Sequence, residues 1–381
     1  MKILLVGEFS RLHNSLKEGL LALGHEVLLV NNGDGFKNFP ADISIRANFF
    51  KSKLGNILRQ IWFRIFKYDL ALLEHGIRFW WISKKLKNYD VVQFINESPI
   101  QTVSKLELFL IQQLFKQNQK IFLLCCGIDY VTVNHMLQKK DRYSVMNAYF
   151  ENIPEAKKQY EYFFDFVDKP HQKIHQFLYK NIRGVIASDL DYVRPLLGNK
   201  KYLGIVGNPI NTDKITVIEN EISNKINIFL GINTGNSYKK GISYFEEAIE
   251  IIKEKYSNKV EIIITKDIPY SDYQQHFEKA HILLDQVYCF DQGFNALEAM
   301  AKGKVVFTGA ETEFLNHYHL QENEVAINAL PNVDYLVEKL SFLIENPSEI
   351  QRISRNAIAF IQKEHHYVKQ AEKYVQLWKT N

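Results

Sequence analysis

The sequence has few cysteines and no long apolar run. Its 381 residues include three cysteines, two of them adjacent at Cys125 and Cys126, too few for the disulfide framework of a secreted scaffold. No segment approaches the roughly 20 consecutive apolar residues that a membrane-spanning helix needs. The N-terminus lacks the apolar core and cleavage site of a secretory signal, so residues 1–6 are interpreted as a first strand. The sequence therefore favours a protein of the reducing cytoplasm.

The chain also lacks a strong excess of charge of either sign. Its formal net charge is +4, which by itself does not indicate a nucleic-acid partner. Apolar residues make up 46% of the chain and charged residues 24%, as in ordinary globular proteins. Because the chain is longer than one common α/β core, its length predicts two domains of roughly 150–200 residues each.

Basic and aromatic residues are concentrated in the segment 46–87. Its basic residues are Arg46, Lys51, Lys53, Arg59, Arg64, Lys67, Arg78, Lys84, Lys85 and Lys87, and among them lie Trp62, Phe63, Phe66, Phe79, Trp80 and Trp81. Such side chains suit peripheral contact with an anionic membrane at the inner face. An amphipathic helix packed on a sheet, with its basic face in solvent, explains the same pattern equally well. No nucleic-acid-binding module accompanies the charge, so no nucleic-acid partner is expected.

Short apolar runs alternate with helical patterns in both halves of the chain. The predicted strands of the first half are Lys2–Val6, Glu26–Val30, Val91–Ile95, Ile121–Cys125 and Gly184–Ala187, with a helix from Ser10, as N-cap, to Leu23. The second half has predicted strands at Ile226–Leu230, Val260–Thr265, Ile282–Asp285 and Val305–Thr308 and helices at Ser243–Lys255, Ser271–Ala280 and Asn295–Ala301. Continuous apolar runs are typical of parallel strands covered on both faces, so the pattern predicts a doubly wound α/β fold.

The predicted organisation is two domains and a helical tail. The segment Gly204–Asn211 is the predicted linker because it combines glycine, asparagine and proline. We expect a first domain over 1–206, a second over 207–360, and a C-terminal helix over 361–381 that packs back on the first domain. Gly7 stands alone after the first strand, where a nicotinamide-binding domain would carry Gly-x-Gly-x-x-Gly. Ligands of such folds bind at the carboxyl ends of the strands, which predicts a cleft between the domains.

The segment Asp285–Gly303 combines a strand end, a loop containing Gly293 and a short helix bearing Glu298. Backbone N–H groups at a helix N-terminus, with the positive end of the helix dipole, favour binding of a diphosphate. A glutamate one turn further along can accept hydrogen bonds from the two ribose hydroxyls. A solvated carboxylate on an ordinary helix is the alternative interpretation of Glu298.

Several motifs in this order resemble those of the retaining, two-domain (GT-B) glycosyltransferases of family 4. They are G-F-x-x-L-E-A-M-A-x-G-K-x-V from Gly293, Gly207-Asn-Pro-Ile-Asn-Thr-Asp213, Tyr238-Lys-Lys-Gly241 and Gly184-Val-Ile-Ala-Ser188. Two further motifs, G-E-F-S-x-x-H-x-x-L from Gly7 and Gly33-Asp-Gly-Phe-Lys-Asn38, are similar to a subgroup common in Bacteroidetes surface-polysaccharide gene sets. The resemblance implies two Rossmann-like domains facing across a cleft and a role in polysaccharide biosynthesis.

On the donor side, the resemblance implies that Glu298 binds the ribose and Lys240 the diphosphate, with Gly293 as a further donor-binding residue. The family's first glutamate is replaced here by Phe290, which leaves Asp291 or Asp285 as candidates for contact with the donor sugar. The family's arginine after the strand Ile226–Gly231 is also missing, so Lys239 is a second candidate for phosphate neutralisation. Glu311, at another strand end, is either part of the donor rim or a helix N-terminal acid.

On the acceptor side, the candidate residues follow predicted strand ends of the first domain: Gly7, Glu8, His13, Asn96, Glu97 and Asp129. His13 and Asp129 are the candidate catalytic residues. A first-turn position favours a neutral imidazole at His13, which can hydrogen-bond a sugar hydroxyl, although a packing or capping histidine is the alternative. Asp129 either contacts the sugar or caps a turn.

The sequence therefore predicts a hexosyltransferase-like enzyme that moves a sugar from a nucleoside-diphosphate sugar to a saccharide or lipid-linked saccharide, with retention. A nucleotide-sugar epimerase and a catalytically inactive sugar-nucleotide-binding protein are the alternatives. No cofactor beyond the nucleotide-sugar co-substrate is expected. His171 and His175 share a helix face but lack a His-Glu-x-x-His pattern, so no dedicated metal site is expected.

Overall fold

The chain forms two parallel β-sheets covered by helices. The computed structural model describes residues 1–50, 52–66, 68–218, 220, 222 and 224–381, without the side chains of residues 36, 270 and 271. The strands of the first sheet are β1 Lys2–Val6, β2 Glu26–Asn31, β3 Ile43–Ser44, β4 Val91–Phe94, β5 Ile121–Cys125, β6 Gly184–Ala187 and β7 Tyr202–Ile205. Those of the second sheet are β8 Ile226–Ile232, β9 Val260–Lys266, β10 Ile282–Leu284, β11 Val305–Thr308 and β12 Ile327–Asn328.

The order of the strands indicates where each sheet can bind a ligand. The first sheet runs β3-β2-β1-β4-β5-β6-β7 and the second β12-β11-β10-β8-β9, and every pairing is parallel. The order reverses between β1 and β4 in the first sheet and between β8 and β10 in the second. A crevice opens at such switch points beyond the carboxyl ends of the strands.

Helices cover both faces of each sheet. Those of the first half are α1 Leu12–Ala22, α2 Lys53–Phe66, α3 Leu70–Ser83, α4 Ser104–Gln117, α5 Tyr130–Leu137, α6 Asn147–Phe150, α7 Lys157–Asp165, α8 Lys169–Asn181 and α9 Leu190–Val193. Those of the second half are α10 Ser237–Lys240, α11 Ile242–Lys255, α12 Tyr270–Lys279, α13 Phe294–Ala301, α14 Thr312–Tyr318, α15 Val333–Glu345, α16 Pro347–Glu364 and α17 Tyr367–Thr380. Apolar side chains fill both sides of both sheets, which accounts for the continuous apolar runs of the strands.

The start of α1 differs from the prediction. Ser10 is not its N-cap, since α1 begins at Leu12 and the preceding Arg11 has a left-handed backbone conformation. The buried carboxylate of Glu8 takes over the capping role by accepting hydrogen bonds from the N–H groups of His13 (3.2 Å) and Asn14 (2.8 Å). A cap from outside the helix cannot be recognised by the usual N-cap spacing.

The chain passes from the first sheet to the second after β7 and returns to the first sheet with its C-terminal helix α17. After β7, the N–H of Ile210 donates to His365 O (2.7 Å), and the N–H of Tyr367 donates to Ile210 O (3.0 Å). The break at His365–His366 separates α16, which packs against α13, from α17, which packs against α1. A Cβ on Gly19 of α1 would lie 2.4 Å from the carbonyl oxygen of Tyr367, so the two helices approach closely.

The predicted fold of two Rossmann-like halves with a returning C-terminal helix is thus confirmed. The boundaries proposed at 1–206, 207–360 and 361–381 stay predictions. The prediction omitted the strands β3 and β12, whose two residues are too few for a clear apolar run, and the edge strand β7, whose end overlaps the predicted linker Gly204–Asn211.

The basic–aromatic segment 46–87 forms α2, α3 and their flanking loops, while Lys51 and Lys67 lie outside the described residues. Helix α2 has one buried residue, Gly55, whereas α3 buries one side that includes Ala71 and Phe79. The packed-helix interpretation is therefore wrong for α2. Among the helices that the structure describes, none has the length and apolarity to cross a membrane.

Candidate functional site

A cavity of about 580 Å³, here called the larger cavity, lies between the two sheets. Loops after β8, β9 and β10 and the N-terminus of α13 form most of its wall, and three first-half residues close it. The lining residues are Ser10, Lys37, Phe39, Gly231, Ile232, Asn233, Asn236, Lys240, Thr265, Asp267, Ile268, Tyr273, Leu284, Asp285, Gln286, Gly293, Phe294 and Asn295. The predicted cleft is therefore present at the carboxyl ends of the strands.

Lys240 and Asp285 meet in the larger cavity. The Nζ of Lys240 lies 2.8 Å from Oδ1 of Asp285, whose carboxylate is almost fully buried. The hydroxyl of Thr308 donates to the other oxygen of Asp285 (3.3 Å), and the amide of Asn295 donates to Oδ1 (3.4 Å). Because the ammonium group of Lys240 is partly exposed, an incoming anion can replace Asp285 as its partner.

Two glycines shape this end of the cavity for different reasons. Gly241 ends α10 with φ +64°, and a Cβ there would lie 2.4 Å from Cγ2 of Val287, so the fold itself requires glycine. Gly293 precedes α13 with φ −74°, and the nearest atom to an added Cβ is Nε2 of Gln286 at 3.8 Å. Gly293 therefore leaves open space at the N-terminus of α13, where backbone N–H groups and the helix dipole favour an anion.

Glu298 lies one turn further along α13, beyond the residues that line the larger cavity. Burial raises the pKa of its carboxyl, and the nearby positive charges of Lys302 and Arg11 act in the opposite direction. Within the described part of the chain, its side chain forms no hydrogen bond. Glu298 lines neither the larger cavity nor the smaller one beside it, so its contact with a ribose stays a prediction.

The two sequence-adjacent lysines separate. The Nζ of Lys239 lies 3.3 Å from the hydroxyl of Tyr162 and 5.0 Å from the centre of its ring, and burial lowers the pKa of this lysine to about 8. Lys239 does not line the larger cavity. A lysine from the opposite domain does: Lys37, whose Nζ is held by Asp34 (2.8 Å) and Ser10 (3.0 Å).

A smaller cavity of about 240 Å³ adjoins the larger one, and both are lined by Gln286 and Gly293. Its other lining residues come from both halves: Gly127, Ile128, Thr132, His135, Met136, Asp141, Tyr143, Ser144, Val145, Asp189, Asp191, Tyr192, Arg194, Pro195, Tyr288, Cys289 and Phe290. The two cavities form one path through the cleft. A ligand lying along it would pass the N-terminus of α13.

Phe290, at the position of the expected first glutamate, is enclosed by first-half residues. The guanidinium carbons of Arg142 and Arg194 lie 4.9 Å and 4.6 Å from its ring centre, and the ring of Tyr143 stacks on it at 5.2 Å. Arg142 and Arg194 also form ion pairs with Glu313 at the start of α14 (2.7 Å and 3.0 Å). Phe290 therefore contributes to the contact between the two domains, and its ring cannot form the hydrogen bond with a sugar that a glutamate could.

The acids predicted at the donor rim form interdomain contacts. Asp291 accepts a hydrogen bond from the N–H of Leu190 (3.1 Å), and Asp191 accepts from the N–H of Phe290 (3.0 Å). Burial raises the pKa of Asp291 to about 6.

Glu311 accepts hydrogen bonds from the Tyr143 hydroxyl and from Arg142. Of the four acids predicted on the donor side, Glu298, Asp285, Asp291 and Glu311, only Asp285 lines the larger cavity.

The predicted acceptor-side residues Gly7, Glu8 and His13 line neither of the two cavities. Gly7 has φ +88°, and its carbonyl accepts a hydrogen bond from Nδ1 of His13 (2.8 Å). Burial lowers the pKa of His13 to about 4 and raises that of Glu8 to about 8. The direction of the pKa shift is the one expected for His13, but its cause is burial and not the first-turn position, and Nε2 has no partner among the described residues. The catalytic role of His13 stays a prediction.

The other acceptor-side candidates also hold loops together. The amide of Asn96 contacts Ile128 O (3.4 Å), and Glu97 lies 2.8 Å from Nδ1 of His175. Asp129 caps α5 by accepting from the N–H of Thr132 (2.9 Å). Burial raises the pKa of Glu97 and of Asp129 to about 8. In the part of the chain that the structure describes, no three His, Cys, Asp or Glu side chains are grouped to hold a metal ion.

Sequence reasoning missed the far end of the larger cavity. Thr265 lies near the end of β9, Asp267 and Ile268 follow β9, and Asn233 follows β8. Asp267 accepts hydrogen bonds from the N–H (2.9 Å) and the hydroxyl (2.7 Å) of Thr234, which fixes the loop after β8. Their positions at the ends of predicted strands could have indicated a place in the cleft. No pattern of charged residues distinguished them from other strand-end residues.

Part of the sequence matches a known family, and the fold is similar to that of several solved structures. Residues 239–376 match the model of the glycosyl transferase-like family. A search of curated protein sequences finds no match. Among solved structures, the chain is similar to a sucrose-phosphate synthase from Thermosynechococcus elongatus, with 14% identity and a TM-score of 0.63 over 100% of this chain and 99% of that chain. It is also similar to HepE from Anabaena in complex with UDP and glucose, with 12% identity and a TM-score of 0.60 over 100% of both chains.

A putative UDP-N-acetylglucosamine 2-epimerase from Listeria monocytogenes is similar as well, with 12% identity and a TM-score of 0.52 over 98% of this chain and 95% of that chain. At such low identities these likenesses show the fold, which is GT-B.

Proposed function

We propose that this protein is a glycosyltransferase that uses a nucleoside-diphosphate sugar as donor. The observation that carries the proposal is the larger cavity, in which Lys240 and the N-terminus of α13 lie at the interdomain end. A lysine and uncapped backbone N–H groups together suit a diphosphate. The match of residues 239–376 to the glycosyl transferase-like family model supports the same conclusion.

The donor lies along the path formed by the two cavities. The base occupies the end lined by Asn233, Thr265 and Ile268, and the diphosphate lies at Gly293 between Lys240 and Lys37. In this arrangement Lys37 replaces the family's missing arginine as the second cation. The sugar then enters the smaller cavity beyond Gln286. The complexes of HepE with UDP and with UDP-glucose support a uridine nucleotide as the first ligand to test.

The proposed reaction is hexosyl transfer with retention, as in family 4. The bond between the anomeric carbon and the diphosphate oxygen breaks, the acceptor oxygen bonds to that carbon from the same face, and the acceptor proton passes to the diphosphate. Lys240 and the N–H groups of α13 stabilise the negative charge that grows on the departing diphosphate. By the resemblance to family 4, Glu298 holds the ribose; because Glu298 lines neither cavity, the ribose must then lie past Gly293 along α13, with only the base at the far end of the larger cavity. Asp285, once released from Lys240, accepts a hydrogen bond from the part of the donor sugar nearest the diphosphate.

The proposed acceptor is a saccharide or lipid-linked saccharide of a polysaccharide-biosynthesis pathway, used in the cytoplasm at the inner face of the membrane. The smaller cavity supports this acceptor class because carboxylates and hydroxyls line it, including Asp141, Asp189 and Tyr192. Such groups pair well with sugar hydroxyls.

Incubation of the purified protein with radiolabelled UDP-sugars, with and without a lipid and oligosaccharide acceptor extract, tests the proposal. Transfer of label to the extract, with the α-anomeric configuration of the donor kept in the NMR spectrum, is the expected result. Conversion of the sugar to its epimer without acceptor would instead identify an epimerase. Binding of UDP without turnover of any donor would identify an inactive binding protein, and failure to bind any nucleoside diphosphate would overturn the proposal.

A further inference from the structure

A stripe of large apolar side chains runs along α2 in contact with solvent. Its members are spaced as one face of a helix: Leu54, Ile57, Leu58, Ile61, Trp62 and Ile65. In an ordinary surface helix this face is the one that packs on the core. Here all six side chains are exposed, Leu54 by 78%, and the buried residue of the helix is Gly55. The described part of the protein therefore leaves the apolar face of α2 uncovered.

Helix α3 extends this surface. It packs against α2 and contributes three further exposed apolar side chains, those of Ile77, Trp80 and Trp81. We call the stripe on α2, its neighbours Phe63 and Phe66, and these three residues the apolar patch. A concentration of exposed apolar side chains of this kind marks an interaction surface.

The patch is bordered by positive charge. Lys53 and Arg64 on α2, and Lys84, Lys85 and Lys87 after α3, form no ion pair with any described residue. Arg59 and Arg78 are paired instead, Arg59 with Asp69 through two contacts of 2.6 Å and Arg78 with Glu74 at 2.8 Å. The sequence contains no aspartate or glutamate from residue 51 to residue 68. The partner of this surface is therefore both apolar and anionic.

We propose that the apolar patch docks the protein on a membrane surface that contains anionic lipids. The aliphatic and aromatic side chains enter the boundary between headgroups and acyl chains, with Trp80 and Trp81 at the level of the headgroups. The unpaired lysines and Arg64 contact lipid phosphates. Helix α2 is about 21 Å long at 1.5 Å per residue, so it can lie in the plane of the membrane.

A second copy of the chain fits the same surface less well. Two copies that met through α2 would bring Lys53 and Arg64 of each copy close to basic residues of the other. Neither helix has a carboxylate to compensate, and like charges at a desolvated interface oppose association. Anionic lipids supply the missing negative charge.

The patch lies on the same edge of the first sheet as the cleft. Helix α2 follows the carboxyl end of β3, and the carboxylate of Glu74 in α3 anchors the connection by accepting N–H hydrogen bonds of 3.0 Å from residues 48–50. The loop before β3 supplies Lys37 and Phe39 to the larger cavity. A docked protein would thus hold its cleft near the lipid surface. The docking surface itself does not depend on the proposed function.

Vesicle flotation with the full-length protein tests the proposal. The protein is expected to float with vesicles that mix phosphatidylglycerol with phosphatidylcholine, to stay unbound with phosphatidylcholine alone, and to be released by high salt. Replacing two exposed side chains in Ile57→Glu/Ile61→Glu should lower the partition coefficient by about tenfold or more. Arg64→Gln should lower it about fivefold, which corresponds to about 1 kcal/mol for one charge.

Leu197→Glu is the matched control, because Leu197 is 69% exposed in the first domain outside the patch. This variant should float like the wild type, and circular dichroism melting curves of all variants should match. Wild-type protein that fails to float with the mixed vesicles would overturn the proposal, as would unchanged flotation of Ile57→Glu/Ile61→Glu. A concentration-dependent dimer in analytical ultracentrifugation that this variant abolishes, without lipid binding, would assign the patch to a second copy.

Discussion

At the scale of single residues, Lys239 and Lys240 are adjacent in sequence but have different surroundings. Lys240 lines the larger cavity beside Asp285, whereas Lys239 lies against Tyr162. We expect Lys240→Gln to raise the Kd for UDP by about tenfold or more, since a charge-assisted hydrogen bond contributes roughly 1.5–3 kcal/mol. Lys239→Gln, measured by the same isothermal titration calorimetry, should change the Kd less than about twofold. Equal losses in both variants would contradict the assigned site.

The buried carboxyl of Glu8 gives the protein a pH-dependent stability. Its pKa is raised to about 8 by burial, while the unfolded chain releases this proton near 4.5. Between these values the folded state holds more protons than the unfolded state, so rising pH lowers the free energy of unfolding. Urea denaturation at several pH values from 5 to 8 should show this decline. Glu8→Gln, which cannot titrate, should show a shallower decline, and an identical slope would contradict the prediction.

At the scale of secondary structure, substitutions of two glycines beside the cleft should differ in effect, since one should lower the stability of the fold and the other should abolish UDP binding. Gly241→Ala places a Cβ at φ +64° and 2.4 Å from Val287, so we expect the free energy of unfolding to fall by more than about 1 kcal/mol. Gly293→Leu has an allowed φ and open space, so its stability should change by less than about 1 kcal/mol. The leucine side chain fills the junction of the two cavities, and UDP binding in calorimetry should be lost. Retained UDP binding by a folded Gly293→Leu variant would place the diphosphate elsewhere.

Some secondary-structure elements and site residues could be predicted from the sequence alone, and others could not. Buried parallel strands such as β5 and β8 produce continuous apolar runs, and the motif around α13 carried Gly293 and Glu298, so these elements were predictable. The start of α1 was not, because its cap is Glu8 from the preceding loop. Lys37 could not be assigned to the cavity either, since its position opposite Lys240 depends on how two separately folded sheets face each other. Likewise, the basic and aromatic pattern of 46–87 left two interpretations open, and only the structure shows that the apolar face of α2 is uncovered.

At the scale of the whole molecule, two chain segments and a set of side-chain contacts join the two halves of the chain and fix the position of one sheet relative to the other. The segment after β7 pairs with the break between α16 and α17, so both crossings run side by side. On the other side of the cleft, Arg142 and Arg194 bind Phe290 and Glu313. We expect the removal of either attachment to lower the proposed transfer activity, because each cavity is lined by residues of both halves.

The returning helix α17 also completes the core of the first domain. Trp378 is 1% exposed, contacts Phe122 and Tyr374, and donates its indole N–H to Gln93 (3.0 Å). We expect Trp378→Ala to lower the free energy of unfolding of the first domain by about 3–5 kcal/mol through the cavity it leaves. The cores around the second sheet lack this residue, so urea unfolding followed by circular dichroism should separate into two transitions.

Trp81→Ala is the control for this experiment, because Trp81 is 69% exposed. Its unfolding should match that of the wild type within about 0.5 kcal/mol, as for most surface substitutions. Equal effects of the two tryptophan substitutions, or a single unshifted transition in Trp378→Ala, would mean that the first domain is stable without α17. The helix would then serve only to connect the domains, and the closeness of α1 and α17 at Gly19 would contribute little to the fold.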